Sequence, residues 1–208
     1  MNKYIAELIG TFFLVFTVGC TVISGVAMAP VAIGAALMVM VFAAGHISGG
    51  HLNPAVTLAV WIRGKCASKD VVPYWIGQIV GAVLAALAVK YLFAAKMGDV
   101  KAMQVAVGPA LLAEFLFTFA LAYVVLNVAT AKGTSGNSFY GLAIGMTVMV
   151  GAFSVGGVSG GAFNPAVAVG ASLLGLFSWS NIWIYLMADL LGGGAAALTF
   201  KTLNPEDR

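Results

Sequence analysis

The sequence predicts an all-α membrane protein: six transmembrane helices plus two re-entrant half-helices, arranged as an inverted 3+3 repeat. Three observations predict it. The chain is 62% hydrophobic and only 8% charged, against roughly a quarter charged in soluble domains. Several apolar runs reach the ~20 residues a helix needs to cross the hydrocarbon core, whereas a membrane barrel shows alternating segments of about ten residues. Finally, Ser48-Gly49-Gly50-His51-Leu52-Asn53-Pro54-Ala55-Val56 returns nearly letter for letter as Ser159-Gly160-Gly161-Ala162-Phe163-Asn164-Pro165-Ala166-Val167. The two asparagines lie 111 positions apart in a chain of 208, so each half carries one copy.

Taken in order, the apolar runs place spans at 4–24, 30–47, 71–93, 106–128, 137–157 and 179–202. The first run follows Lys3, and Ala27-Met28-Ala29 resembles a signal cleavage site. The run is nevertheless long for a signal core and carries Glu7, so it is read as a retained span. Two short apolar pieces remain, 53–62 and 164–174. At about ten residues each they cannot span. Their starts are well marked. Gly49-Gly50 and Gly160-Gly161 permit backbone shapes other residues resist, Pro54 and Pro165 suit a first helical turn, and Asn53 and Asn164 fall at the N-cap. Irregular backbone at bilayer depth is tolerated only where it is buried in protein or lines a watery cavity. That rule turns the two segments into a pore hypothesis.

The repeat extends beyond the asparagines. Ala6-Glu7-Leu8-Ile9-Gly10-Thr11-Phe12 matches Ala113-Glu114-Phe115-Leu116-Phe117-Thr118-Phe119, dividing one domain, 1–208, into halves at about 1–100 and 101–208. An odd number of spans per half forces the copies into opposite orientations. Lys3, Arg63, Lys65, Lys69, Lys132, Lys201 and Arg208 fall on one side, with Lys90, Lys96 and Lys101 toward the other. The excess predicts both termini in the cytoplasm, in a plasma (inner) membrane. One half-helix then enters from each side, and their N-termini meet near the midplane. The loops near 63–70, 94–105 and 130–138 are too short for a second domain.

Little else suggests chemistry. Glu7, Glu114 and Asp189 are the only strong bases in the spans, without a nucleophile at workable spacing, so no enzyme is expected. His46 and His51 lack a third ligand, so no metal or cofactor is expected. They are read instead as hydrogen-bonding the first loop's backbone, with exposure toward a vestibule. Cys20 and Cys66 sit in unlike surroundings and predict no disulfide. The formal charge of +3 comes from loops and tails, which argues against nucleic acid. Asn53 and Asn164 each offer a side-chain N–H₂ to passing water. Two half-helix dipoles meeting at their positive ends disfavour cations and hydronium.

Paired Asn-Pro-Ala segments, Asn53-Pro54-Ala55 and Asn164-Pro165-Ala166, on a six-span repeat resemble the aquaporin (major intrinsic protein) family across essentially the whole chain. The resemblance implies a homotetramer in the lipid bilayer with one pore per subunit. It also implies that Glu7 and Glu114 accept hydrogen bonds from loop backbone. Strict water channels carry an arginine where this chain has Val167, and the other filter positions fall on Ile33, Ala152 and Gly161. The filter is therefore expected to be wide and apolar. Asn-Pro-Ala-Val-Ala also resembles a group of plant vacuolar-membrane aquaporins. The glycerol branch typically has an aspartate where this chain has Ala168. The resulting expectation is a passive channel for water and small neutral solutes such as urea, ammonia, hydrogen peroxide or glycerol. The alternatives are a structural membrane-junction member with low water permeability, or a dedicated glycerol facilitator. Asp189 stands where the family usually has proline. It is expected to be hydrogen-bonded against protein, or else to face a tetramer partner or the solute.

Overall fold

A computed structural model describes residues 1–207. Eight α-helices follow in order: α1 Asn2–Ile23, α2 Ala29–Ser48, α3 Pro54–Ile62, α4 Ser68–Leu92, α5 Val107–Val125, α6 Tyr140–Ser159, α7 Pro165–Leu173 and α8 Ile182–Leu203. Short 3-10 turns cover Ala94–Asp99, Lys132–Thr134 and Trp179–Asn181, and α5 runs on into a π turn over Leu126–Thr130. The six long helices are each long and apolar enough to cross a membrane. α3 and α7 have nine residues each.

The spans agree with the sequence expectation to within about three residues, and the differences have local causes. α4 starts earlier than expected because Ser68, Lys69 and Asp70 form a polar first turn that hydropathy alone reads as loop. Asp70 there accepts hydrogen bonds from Lys3 Nζ and, at 2.7 Å, from Tyr4 Oη. α8 starts later because Trp179–Asn181 is a 3-10 turn under the Ser178 hydroxyl.

α1 packs on α4, α5 on α8 and α2 on α6, with α3 and α7 enclosed between them. Where these helices cross, glycine is a spatial requirement. A Cβ on Gly34 would lie 2.7 Å from the Gly145 carbonyl oxygen, and one on Gly145 would strike the Gly34 carbonyl oxygen and come within 2.8 Å of Met38 Cβ. Gly77 and Gly81 meet Tyr4 and Leu8 backbone in the same way, and Gly192 meets Phe115. Such contacts let bilayer helices approach through their backbones. Gly145→Val is therefore expected to cost at least about 1–3 kcal/mol of overpacking, read as a lowered thermal transition in detergent. Gly157→Ala on the same helix, which has open space around it, should leave that transition unchanged.

The outward faces are apolar as well. Along α4, Val72, Ile76, Val80, Leu84 and Leu87 are all exposed. A stripe of this size on a soluble protein invites aggregation; on a spanning helix it is the lipid face. The chain is an integral, multi-pass membrane protein.

The C-terminal tail is pinned to the face on which α3 ends. Asp207 accepts from Arg63 Nη2 at 2.6 Å and from the Lys132 backbone N–H at 2.7 Å. Arg63 also lies over the Phe200 ring, 4.8 Å from its centroid. The Lys132 N–H, with Arg63 and Lys132 charge beside it, holds the Asp207 carboxyl below its ordinary value. Its contribution is therefore present at neutral pH and is lost as pH falls through that lowered value. The tail is expected to stay docked at pH 7 and to become open to limited proteolysis below about pH 4, whereas Asp207→Asn should be cleaved at both.

Candidate functional site

Each half-helix is entered by a loop of unusual backbone shape. Gly49, Gly50 and Leu52 have φ of 90°, 62° and 51°, and Gly160, Gly161 and Phe163 have 95°, 67° and 48°. The glycines adopt this region freely. Leu52 and Phe163 do not, and such residues persist only where their surroundings hold them.

The buried glutamates do the holding. Glu7 Oε1 accepts from Ser48 Oγ at 2.6 Å and the His51 N–H at 2.9 Å, while Oε2 accepts from the Leu52 N–H at 2.6 Å and Gln78 Nε2 at 2.8 Å. Glu114 accepts from Ser159 Oγ at 2.6 Å, the Ala162 N–H at 3.0 Å and the Phe163 N–H at 2.7 Å. Tyr74 and Tyr185 donate to the carbonyls of Ser48 and Ser159 at 2.7 and 2.6 Å. Apart from the Gln78 bond, the two loops are thus built by the same bonds twice.

The result of this constraint is where the Leu52 and Phe163 carbonyls point. Asn53 Nδ2 donates to the Phe163 carbonyl at 2.8 Å, and Asn164 Nδ2 donates to the Leu52 carbonyl at 2.9 Å. The half-helix tips are laced together through each other's loops. Each asparagine Oδ1 also caps its own helix, from Ala55 N–H in one case and from Ala166 and Val167 N–H in the other. With the oxygen and one N–H engaged, each side chain keeps one N–H for the space in front of it.

That space is a cavity of about 350 Å³ lined by Asn53 and Asn164. Ile33, Ala152, Gly161 and Val167 all line it, so the structure brings the four expected filter positions together on one wall system with the asparagines. It reaches Val125 in one direction and Lys101 and Met103 in the other. Hydrocarbon makes up most of the lining, and Lys101 is the only Lys, Arg, Asp or Glu on it among the described residues. A polar solute there meets a few hydrogen-bonding groups, Asn53, Asn164 and His51 among them, and otherwise apolar wall.

Two expectations need correction. His46 is exposed at the end of α2 and makes no hydrogen bond to the loop, because its turn of the helix faces away from Glu7 and Ser48. His51 does line the cavity, in keeping with the expected vestibule exposure, but its Nδ1 lies 3.2 Å from the Thr57 hydroxyl rather than on loop backbone, and its ring packs edge-on against Tyr74. Asp189 is buried with no exposure, so neither a tetramer contact nor a solute-facing role fits it. Thr118 Oγ1 donates to its Oδ1 at 3.0 Å, in keeping with the hydrogen-bonded alternative. Sequence reasoning missed Ser48, Ser159, Tyr74, Tyr185 and Gln78. The signal was present: Tyr74 and Tyr185 each stand 21 positions after their asparagine.

Six spanning helices around two laced half-helices, with a cavity running past their tips, define a membrane channel. Comparison with known proteins gives the family. Residues 1–200 match the family described as Major intrinsic protein, and the chain belongs to it. It is 36% identical over 217 residues, covering both proteins completely, to the "Glycerol uptake facilitator protein-like 6" of Lactiplantibacillus plantarum. It is 37% identical over 226 residues to "Aquaporin NIP1-1" of Arabidopsis thaliana, covering all of this chain and 75% of that one. The fold matches the X-ray structure of the aquaglyceroporin from Plasmodium falciparum with a TM-score of 0.85, covering 99% of this chain and 97% of that one at 22% identity.

Proposed function

We propose that this chain is a passive pore for water and small neutral solutes, with Ile33, Ala152, Gly161 and Val167 as a wide apolar filter. The observation that carries this reading is the single cavity lined both by the asparagine tips and by those four positions. Asn53 and Asn164 each present an N–H to the solute column. The α3 and α7 N-termini set positive potential at the same level. Hydronium and metal cations are disfavoured there, and water is turned so that it accepts from the asparagines. With no arginine at Val167, exclusion of cations rests on these dipoles and on the cost of dehydration along the apolar wall. No step of this activity calls for a cofactor, a metal or an enzymatic group.

The pore is assigned to each subunit of a homotetramer in the plasma (inner) membrane, with both termini cytoplasmic as the Lys/Arg distribution indicates. Glycerol belongs among its solutes. The full-length likeness to a protein named as a glycerol uptake facilitator-like protein supports this, as does the absence of an aromatic or charged side chain at Ile33, Ala152, Gly161 and Val167. Proteoliposomes in stopped-flow osmotic assays test the proposal. Shrinkage faster than in protein-free vesicles is expected, together with measurable urea and glycerol re-entry. Water flux at the protein-free rate would favour a structural membrane-junction role instead.

A further inference from the structure

The buried supports of the two loops differ most at one pair of equivalent positions. Gln78 on α4 and Asp189 on α8 each stand 25 positions after their asparagine and four after the tyrosine that binds the loop. In the first half, Gln78 Nε2 donates to Glu7 at 2.8 Å and to the Thr57 hydroxyl at 3.0 Å. In the second half Thr57 is replaced by Ala168, and the amide by a carboxyl.

Asp189 has no exposure, and its Oδ2 meets no donor among the described residues. Thr118, one turn of α5 beyond Glu114, donates to its Oδ1 at 3.0 Å, and its place is the counterpart of the one from which Gln78 reaches Glu7, which sets its carboxyl toward that of Glu114. Glu114 already accepts from one hydroxyl and two backbone N–H groups, so Glu114 is the member of the pair suited to carry the negative charge. Two ionised carboxylates set toward each other, away from water, repel strongly and each lose hydration. Nothing packed on α8 relieves this. α3, α7 and the turns at 126–130 and 179–181 contain no charged residue, α5 contributes Glu114 and Tyr123, and α8 itself contributes Tyr185 and, near its far end, Lys201; Arg63, just past α3, packs on Phe200 near that same far end and is paired with Asp207. Tyr185 already donates to the Ser159 carbonyl.

We propose that Asp189 is held as a neutral acid whose proton bridges to the Glu114 carboxylate, a positioning residue that supports the Asn164 loop as the Gln78 amide supports the Asn53 loop. The proton completes the shell of Glu114, which fixes the Phe163 N–H and thereby the carbonyl that receives Asn53. One difference between the halves follows. An amide donates at any pH, whereas an acid donates only until it ionises. Alkaline pH therefore leaves the first loop intact. In the second it sets two anions against each other and releases the Ala162–Phe163 turn.

The test has two arms, and only the second rests on the channel reading. Infrared spectra of reconstituted protein at pH 7 are expected to show a protonated carboxylic acid C=O band that Asp189→Asn removes. No such band in the wild type, or its survival in the variant, overturns the proposal. In stopped-flow water assays from about pH 6 to about pH 10, wild-type permeability is expected to fall at least about threefold at the alkaline end. Asp189→Asn, whose amide can make the same donation, is expected to stay within about twofold of neutral wild type throughout. Superimposable flat profiles for the two proteins would overturn the alkaline release. Wild-type flux at the protein-free rate at pH 7 would instead sink the channel reading, and the infrared arm would still locate the proton.

Discussion

Glu7→Ala is expected to abolish water permeability and to leave little detergent-stable protein. Glu7 has no exposure and accepts from Ser48, His51, Leu52 and Gln78. Its removal strands those four donors in the interior. Each orphaned buried donor costs about 1–3 kcal/mol, and even a sub-additive sum is comparable with the ~5–15 kcal/mol that separates folded from unfolded states in most proteins. The damage is also specific in place. Without the carboxylate the Leu52 N–H loses its partner, so the φ of 51° is no longer held from that side and the Leu52 carbonyl is no longer fixed toward Asn164. Both half-helix tips would drift apart, although only one loop had been touched. Glu7→Gln keeps the volume and one acceptor but turns an N–H₂ toward donors. It should be made and inserted, with a lowered thermal transition and reduced flux. Gel filtration in detergent followed by stopped-flow assay of whatever is recovered checks both variants. Wild-type stability and flux in Glu7→Ala would show that the carboxylate does not build the loop.

Val167→Arg is expected to lower urea and glycerol permeability at least about tenfold, which needs only ~1.4 kcal/mol of added barrier, while water falls by less. Val167 is buried against protein except where it lines the cavity with Ile33, Ala152 and Gly161. An arginine there takes up width opposite Ile33 and adds a fixed fork of donors. Water passes a narrowed gap and exchanges hydrogen bonds with the guanidinium. A wider solute loses the room it needs to turn. The new charge joins Lys101 on the same lining, so cation leak should fall rather than rise. Parallel measurement of water, urea and glycerol on wild type and variant decides it. An equal loss for all three would mean that position 167 narrows the pore without setting its selectivity.

Much of this architecture was legible in the chain. Span length and apolar content gave six crossings, because the ~30 Å hydrocarbon core imposes its thickness on any helix that crosses it. The half-helices were legible for the same reason, being too short to cross. Asn53-Pro54 and Asn164-Pro165 marked their first turns because capping is a local matter, settled by residues within two or three positions. The repeat of Glu7 at Glu114 pointed to equivalent places in the two halves.

What the one-dimensional pattern left open were bonds between residues remote in the chain. The Asn53 side chain reaches the Phe163 carbonyl, 110 positions away, and no periodicity announces such a pair. His46 and His51 look equivalent in the sequence, yet helix rotation exposes one and buries the other. Asp189 reads as a misplaced charge until α8 lays it against Glu114 and Thr118. By itself, then, the sequence determined the membrane setting, the number and length of the crossings and the start of each half-helix, because lipid thickness and helix capping act locally. The tertiary structure alone decided which carbonyls receive the asparagines, which histidine is buried and what stands beside Asp189, because those depend on how separate helices rotate and pack against one another.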